Sequence, residues 1–452
     1  MSMTLRRAQG IVGDTIAASS TPPGISGLAV VRVSGPACAD VVRQCLNRME
    51  WKPRFLHSAA FCDPTSGETL DQLTFHFLPE AHSPTGEDAL EIFPHGNPLL
   101  VESILRGLLQ VPGVRLAEPG EFTRRAFEAG KIDLVQAEAV GEIIHAQTRA
   151  GLRNAQRLLR GELSEKLRSL RNSLIDLSAR LELDVDFAEE EADPDYASWK
   201  PRIVAIRNDV EKMLLGFERG QSWRHAPRLV FFGAPNAGKS SLINALVGRD
   251  RLLVSEVAGT TRDFVEVPLR LAGGLVHFVD TAGLGKPVDA VDALAMDRTR
   301  SQLSEADIKI CVVDGTMSSP EPPEGAPSGG SGDLYVLTKQ DLPGFVSRDG
   351  FLSVSSKTEE GLDVLLREIE KHLPSSNIET EDAVATTERQ RQALERALGR
   401  LLAAEANLEN HPAVEILAFE IREGCLALRE LLGEIAADDV LHRLFSGFCI
   451  GK

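Results

Sequence analysis

The sequence predicts a multidomain protein of mixed α/β and all-α class: an N-terminal α/β domain, then a helical bundle interrupted by a doubly wound α/β domain. Three observations predict it. The stretch Arg228 to Ser241, RLVFFGAPNAGKSS, runs an apolar strand into a glycine loop and on into an amphipathic helix. Leu163, Leu167, Leu170, Leu174, Leu177 and Leu181 recur at alternating four- and three-residue steps, the stripe of a long helix laid on partner helices. Helical periodicity returns from about Thr386 to Leu408 and again from Val414, so helix flanks the α/β module on both sides.

Bulk properties agree with that division. A chain of 452 residues holds about three domains of ordinary size. Its 43% hydrophobic and 25% charged content is that of a soluble globular protein, and no apolar run is long enough for a membrane span. The N-terminus lacks an apolar signal core. Six cysteines, Cys38, Cys45, Cys62, Cys311, Cys425 and Cys449, show no CxxC spacing, so reduced thiols in a cytoplasmic protein are expected rather than disulfides or a zinc site. A net charge of −17 argues against a protein coated with nucleic acid.

Taken in order, residues 1–130 read as the α/β domain, with strands at Leu28–Val33 and Leu73–Leu78, a helix at Leu99–Leu109, and loops at TPPG (21–24), SPTG (83–86) and EPGEF (118–122). Residues 131–226 form the first helical part, continuous in pattern from about Leu134 to Glu191. Within it Arg149, Arg153, Arg157 and Arg160 share one helix face, either solvated or set against RNA phosphates. Residues 227–374 alternate strand and helix as in a doubly wound sheet, with a Pro/Gly/Ser-rich surface loop at Ser318–Asp333. Residues 375–452 complete the helical part.

The glycine loop is built for phosphate. Its backbone N–H groups, with the helix N-terminus behind them, aim at one anion. Asn236, Ala237, Gly238, Lys239, Ser240 and Ser241 are the expected contacts, Lys239 reaching the β/γ-phosphates and Ser240 taking a place on Mg²⁺. Further stretches follow in the order a GTPase needs. Gly259-Thr260-Thr261 is a switch candidate with Thr261 as the second Mg²⁺ hydroxyl, preceded by Ser255, Glu256, Val257 and Ala258. Asp280-Thr281-Ala282-Gly283 ends a strand, with Asp280 toward Mg²⁺ and the Gly283 N–H toward the γ-phosphate. In Thr338-Lys339-Gln340-Asp341 the Asp341 carboxylate can accept guanine's N1–H and exocyclic amine, a donor pair adenine lacks. Ser355-Ser356-Lys357 would contact guanine O6. Thr338 stands where such motifs usually have Asn, which predicts weaker support of the glycine loop.

These motifs, with GTTRD (259–263), DTAGL (280–284), PGEFTRRAF (119–127), KIDLVQAEAV (131–140) and the terminal Phe448-Cys449-Ile450-Gly451-Lys452, resemble the MnmE (TrmE) family of tRNA-modification GTPases over essentially the whole chain. The resemblance implies a Ras-like G domain inserted in the helical domain, and an N-terminal domain that binds a folate and forms a homodimer. It implies contacts to 5-formyl- or methylene-tetrahydrofolate at Arg32, Glu91, Lys131 and Lys452, and an essential thiol at Cys449. It further implies an MnmG-type FAD protein as partner, tRNA as substrate, and hydrolysis assisted by K⁺ held by Asn236, Ser255, Val257 and Thr260. The family's water-orienting glutamate, twelve residues after the DTAG aspartate, is matched by the shorter Asp292. Two other readings stand beside it: an RNA-binding GTPase switch in ribosome assembly, and a GTP sensor with weak hydrolysis.

Overall fold

The computed structural model describes residues 13–186, 196–249, 265–271, 274–281, 299–323, 333–373, 383–408 and 413–451. They form two compact units. The first comprises the described residues up to Gly141, with Leu159–Arg207 and Ala393–Lys452; the second comprises Glu142–Leu158 and Asn208–Gln392.

The first unit opens with a six-stranded sheet ordered β3-β4-β5-β2-β1-β6, from β1 (Thr15–Ser19), β2 (Val31–Ser34), β3 (Leu56–Cys62), β4 (Thr69–Leu78), β5 (Ala89–Phe93) and β6 (Val114–Leu116). Only β1 and β6 run parallel; the other neighbours are antiparallel. Alternation sets the faces. Val31, Val33, Phe61, Phe75, Leu90 and Ile92 point to a core closed by helices α1 (Cys38–Cys45) and α2 (Pro98–Leu108). On the opposite face Ile16 and Ala18 meet Phe122 of α3 (Glu121–Glu128), while Arg32, Glu91 and His76 stay half-buried. The expected strand at Leu28–Val33 is found at Val31–Ser34, three residues later at its start: Ala29, in register opposite Pro94, donates to Pro94 O, but proline has no N–H to return the bond and the ladder lapses there.

An ion network ties α3 to the sheet. Arg115 pairs with Asp14 and Glu121 at 2.5 Å each, and Arg125 reaches Asp14 at 2.8 Å and Glu87 and Glu121 at 2.9 Å. Burial pushes the Glu121 carboxyl up, but hydrogen bonds from Arg115, the Glu118 N–H and Arg125 outweigh it and hold the group below the usual range.

The long helical stretch read from about Leu134 to Glu191 comprises, over its described residues, three helices: α4 (Leu134–His145), α5 (Arg149–Leu159) and α6 (Glu162–Asp186). The α5–α6 break falls at Gly161, whose φ of +86° lies in the left-handed region. Arg160 therefore lies past the end of α5, where it pairs with Glu162, and does not extend the face of Arg149, Arg153 and Arg157. The leucine stripe of α6 is buried at every predicted position from Leu163 to Leu181. After α7 (Tyr196–Arg224) comes the second sheet, ordered β12-β11-β10-β7-β9-β8 from β7 (Arg228–Gly233), β8 (Val265–Leu271), β9 (Gly274–Asp280), β10 (Ile308–Asp314), β11 (Leu334–Thr338) and β12 (Leu352–Ser353). All pairs are parallel except the edge pair β8–β9, so the doubly wound sheet is mixed. Phe231, Phe278, Ile310 and Val336 pack its core with α8 (Lys239–Arg249) and α9 (Leu362–His372).

Within the second unit the short loop before α5 is a junction. Gln147 accepts the Ala226 N–H at 2.8 Å through Oε1 and the Leu275 N–H at 2.9 Å through its carbonyl. Thr148 bridges Gly274 at the start of β9 and donates its hydroxyl to Trp223 O. Asn154 on α5 exchanges two hydrogen bonds with the Val384 backbone, at 3.1 and 3.0 Å. The chain closes with α10 (Glu388–Leu408), α11 (Val414–Leu432) and α12 (Asp438–Ser446); α11 lies along α6.

Candidate functional site

Strand β7 delivers the chain to the glycine loop, and α8 starts at Lys239 itself. Asn236 and Gly238 take φ of +62° and +95°, the left-handed turns that curl the loop. Lys239 is 7% exposed, and its ammonium donates to Gly233 O at 3.3 Å and Ala234 O at 3.0 Å. Burial lowers its pKa below the ordinary lysine value, with Asp280 acting the other way. Register brings Asp280 here: β9 runs beside β7 with Phe231 opposite Asp280. Ser240 Oγ donates to Asp280 Oδ2 at 2.5 Å, and Asp280 Oδ1 is buried without a hydrogen-bond partner among the described residues. A hydroxyl and a carboxylate with an unspent oxygen form the hard-oxygen set that Mg²⁺ takes. Thr281 is pinned by its hydroxyl to Phe231 O at 2.8 Å.

The base-side motif closes over the loop from β11. Thr338 is 1% exposed; its hydroxyl lies 2.6 Å from Ala237 O and 3.2 Å from Val313 O. The expected weakening is thus partial: the threonine does bond the loop, but one hydroxyl proton serves two carbonyls where an Asn amide would bring two. Lys339, at φ +63°, pairs with Asp314 at 2.5 Å. Burial opposes ionisation of Asp314, yet hydrogen bonds from Lys339 and Thr316 hold its carboxyl below the usual range. Asp341 Oδ1 accepts the Ser355 hydroxyl at 2.7 Å, and Ser355 Oγ in turn accepts the Lys357 and Thr358 N–H groups at 3.2 and 3.0 Å. Gln340 donates its N–H to Val354 O. Asp314 was missed in the sequence; a lone Asp-Gly after an apolar strand reads as a turn until β10 is placed beside β11. Ser255, Glu256, Val257, Ala258, Gly259, Thr260, Thr261, Ala282, Gly283, Asp292 and Lys452 lie outside the described residues.

In the first unit, Arg32 Nε donates to Glu91 Oε1 at 2.9 Å across the β2–β5 pair. Lys131 Cε lies 3.5 Å from where a Gly86 Cβ would stand. The C-terminal segment is seated at the end of β1: Ser20 donates to Gly451 O at 2.9 Å, and the Gly120 N–H reaches Cys449 O at 3.4 Å. Phe448 packs on Phe445 with ring centroids 5.7 Å apart. Cys449 is exposed, whereas Cys38, Cys45, Cys311 and Cys425 are buried.

With that geometry in hand, two family models match the chain: the GTP-binding protein TrmE N-terminus over residues 15–131 and the MnmE helical domain over residues 134–449. The chain belongs to the MnmE family of tRNA modification GTPases. Its relatives include the tRNA modification GTPase MnmE of Carboxydothermus hydrogenoformans, 38% identical over 97% of this chain and 99% of that protein. The namesake from Azoarcus sp. is 39% identical over 97% and 98%. Among solved structures, the G domain of the T. maritima FeoB iron transporter is similar at 23% identity and a TM-score of 0.26, over 33% of this chain and 100% of that one. Among the described residues no helix is long and apolar enough to cross a membrane.

Proposed function

We propose that this protein is a Mg²⁺-dependent, K⁺-activated GTP hydrolase. With an MnmG-type FAD protein, it would add an aminomethyl-type group to C5 of the wobble uridine, position 34, of certain tRNAs, drawing on a tetrahydrofolate one-carbon unit. The observation that carries the GTPase half is the meeting of Ser240 Oγ and Asp280 Oδ2 at 2.5 Å, with Asp280 Oδ1 unspent, beside Lys239. Lys239 exchanges its two carbonyl partners for the β/γ-phosphates, and Asp341 takes the guanine edge while Ser355 holds its other side. Ser240 and Thr261 would hold Mg²⁺ directly and Asp280 would hold it through water, and the ion would supply positive charge against the transferring phosphoryl. Asn236 and oxygens of Ser255, Val257 and Thr260 would hold K⁺, which would supply further positive charge there. Asp292 orients the attacking water.

The folate half rests on Arg32 and Glu91, joined across two strands, with Lys131, Lys452 and the C-terminal segment seated at Cys449 and Gly451. The guanidinium and ammonium groups suit folate carboxylates, and a carboxylate suits the donors of a pterin. We assign the domains as 1–130, 131–226, 227–374 and 375–452, and the working form as a cytoplasmic homodimer. The test is mass spectrometry of wobble uridine in tRNA from a deletion strain. Unmodified uridine that the intact gene restores supports the reading, and normal uridine in the deletion overturns it. Steady-state hydrolysis checks the chemistry: turnover falls when K⁺ is replaced by Na⁺ and in Asp292→Asn, and ATP is a poor substitute for GTP.

A further inference from the structure

Strand register places a third side chain in line with Arg32 and Glu91. Arg32 stands opposite Glu91 across β2–β5, and Glu91 stands opposite His76 across β5–β4. The neighbours of all three along their strands, Val31, Val33, Leu90, Ile92, Phe75 and Phe77, are buried in the core, so the three project together from the other face. Directly opposed side chains have Cβ atoms about 5 Å apart. From Arg32 to His76 is therefore a span of two strand spacings, roughly 10 Å. At one end β1 brings Ala18 opposite Arg32, and the Ser20 that holds Gly451 follows two residues on.

His76 is half-buried, and its imidazole makes no hydrogen bond or ion pair among the described residues. Arg32 occupies only Oε1 of Glu91, and Oε2 has no partner among them either. An unspent carboxylate oxygen and an unspent imidazole thus stand side by side on a half-covered sheet face. The bland reading is a solvated histidine on a strand. Against it stands the match to the heterocycle already proposed here. A pterin presents its exocyclic amine, its ring N–H and its 4-oxo oxygen in one row, two donors followed by an acceptor. A carboxylate answers the donor pair, and an imidazole N–H one strand further on answers the oxygen.

We infer that His76 is a specificity-determining residue of the folate pocket, donating a hydrogen bond to the 4-oxo oxygen of a pterin whose donor edge is held by Glu91. The inference rests on the folate reading of the preceding section and extends it by one residue and one atom of the ligand. Its test is titration of the full-length protein with 5-formyltetrahydrofolate at fixed pH, in the wild type, His76→Leu and His76→Gln, with thermal melting of each to show an intact fold. Affinity in His76→Leu is expected to fall about tenfold, the worth of one hydrogen bond whose buried partner is left unmade. In His76→Gln, which keeps a donor at similar reach, it stays within about threefold of wild type. Wild-type binding with an unchanged His76→Leu overturns the role of His76 alone. Equal losses in Leu and Gln overturn the hydrogen bond, since packing then accounts for both. A wild type that binds no reduced folate overturns the pocket reading beneath it.

Discussion

At Thr338 a single hydroxyl proton stands between two backbone carbonyls, those of Ala237 and Val313. Valine there keeps the volume and removes the proton, leaving the Ala237 carbonyl buried without a donor, at a cost of about 1–3 kcal/mol. Thr338→Val is expected to release a fluorescent GDP analogue about tenfold faster, and Thr338→Asn, with two amide protons, to release it more slowly than wild type. Identical rates in all three proteins count against a role for this contact. Thiol reactivity separates at the same scale. Burial pushes Cys45 up to about 12 and raises Cys38 and Cys311 as well, so these stay protonated thiols at neutral pH. Cys449 is exposed and Cys62 only part-covered. Brief alkylation of the native protein, read by peptide mass spectrometry, should mark Cys449 first and leave Cys38, Cys45 and Cys311 unmodified.

Among elements, the turn into α9 is the most constrained on the base side. Gly361 has φ of +79°, and a Cβ there would sit 2.1 Å from Ser353 O. Gly361→Ala should cost at least the 1–3 kcal/mol of a strained backbone position and lower the melting temperature. Because Ser355, which holds Asp341, lies between those residues, nucleotide affinity falls with it. Helix α3 is instead held by charge. The Glu121 carboxyl, depressed in the folded protein, contributes stability that is fully present above its unfolded pKa of about 4.3 and is lost as pH falls through the lower folded value. The melting temperature of wild type should therefore drop on acidification below about pH 4, and Glu121→Gln should flatten that slope by making the protein less stable at neutral pH. How much of this the sequence disclosed follows from distance along the chain. The glycine loop, Asp280 and Asp341 were legible because each motif is contiguous and ends a visible strand. The Arg32–Glu91 pair spans 59 residues, and its partner His76 joins only once β4 and β5 are in register. Asp314 beside Lys339, and the breaks on either side of α5, needed the fold as well. Apolar periodicity alone carries across a short interruption.

At the scale of the whole molecule, motif order named the family, but compactness divides the chain elsewhere than composition does. The unit that contains the nucleotide loop also takes in Glu142–Leu158 and the second half of α7. Gln147, Thr148 and Asn154 fit this, each bonded to backbone that leads into, belongs to or follows the second sheet. Gln147→Ala removes the acceptor of the Ala226 N–H, and a loss of about 1 kcal/mol is expected in denaturant unfolding. No change in midpoint would show that water replaces it without penalty.

That junction bears on any attempt to isolate the nucleotide-binding part. A fragment cut at residues 227–374 would strand the Leu275 N–H and lose the bridge from Thr148 to Gly274, leaving β8 as the one ladder partner at the far end of the strand that presents Asp280. Such a fragment should melt earlier than the same segment supplied with a peptide copy of residues 142–158. α5 is then less a neighbour of the GTPase than its splint.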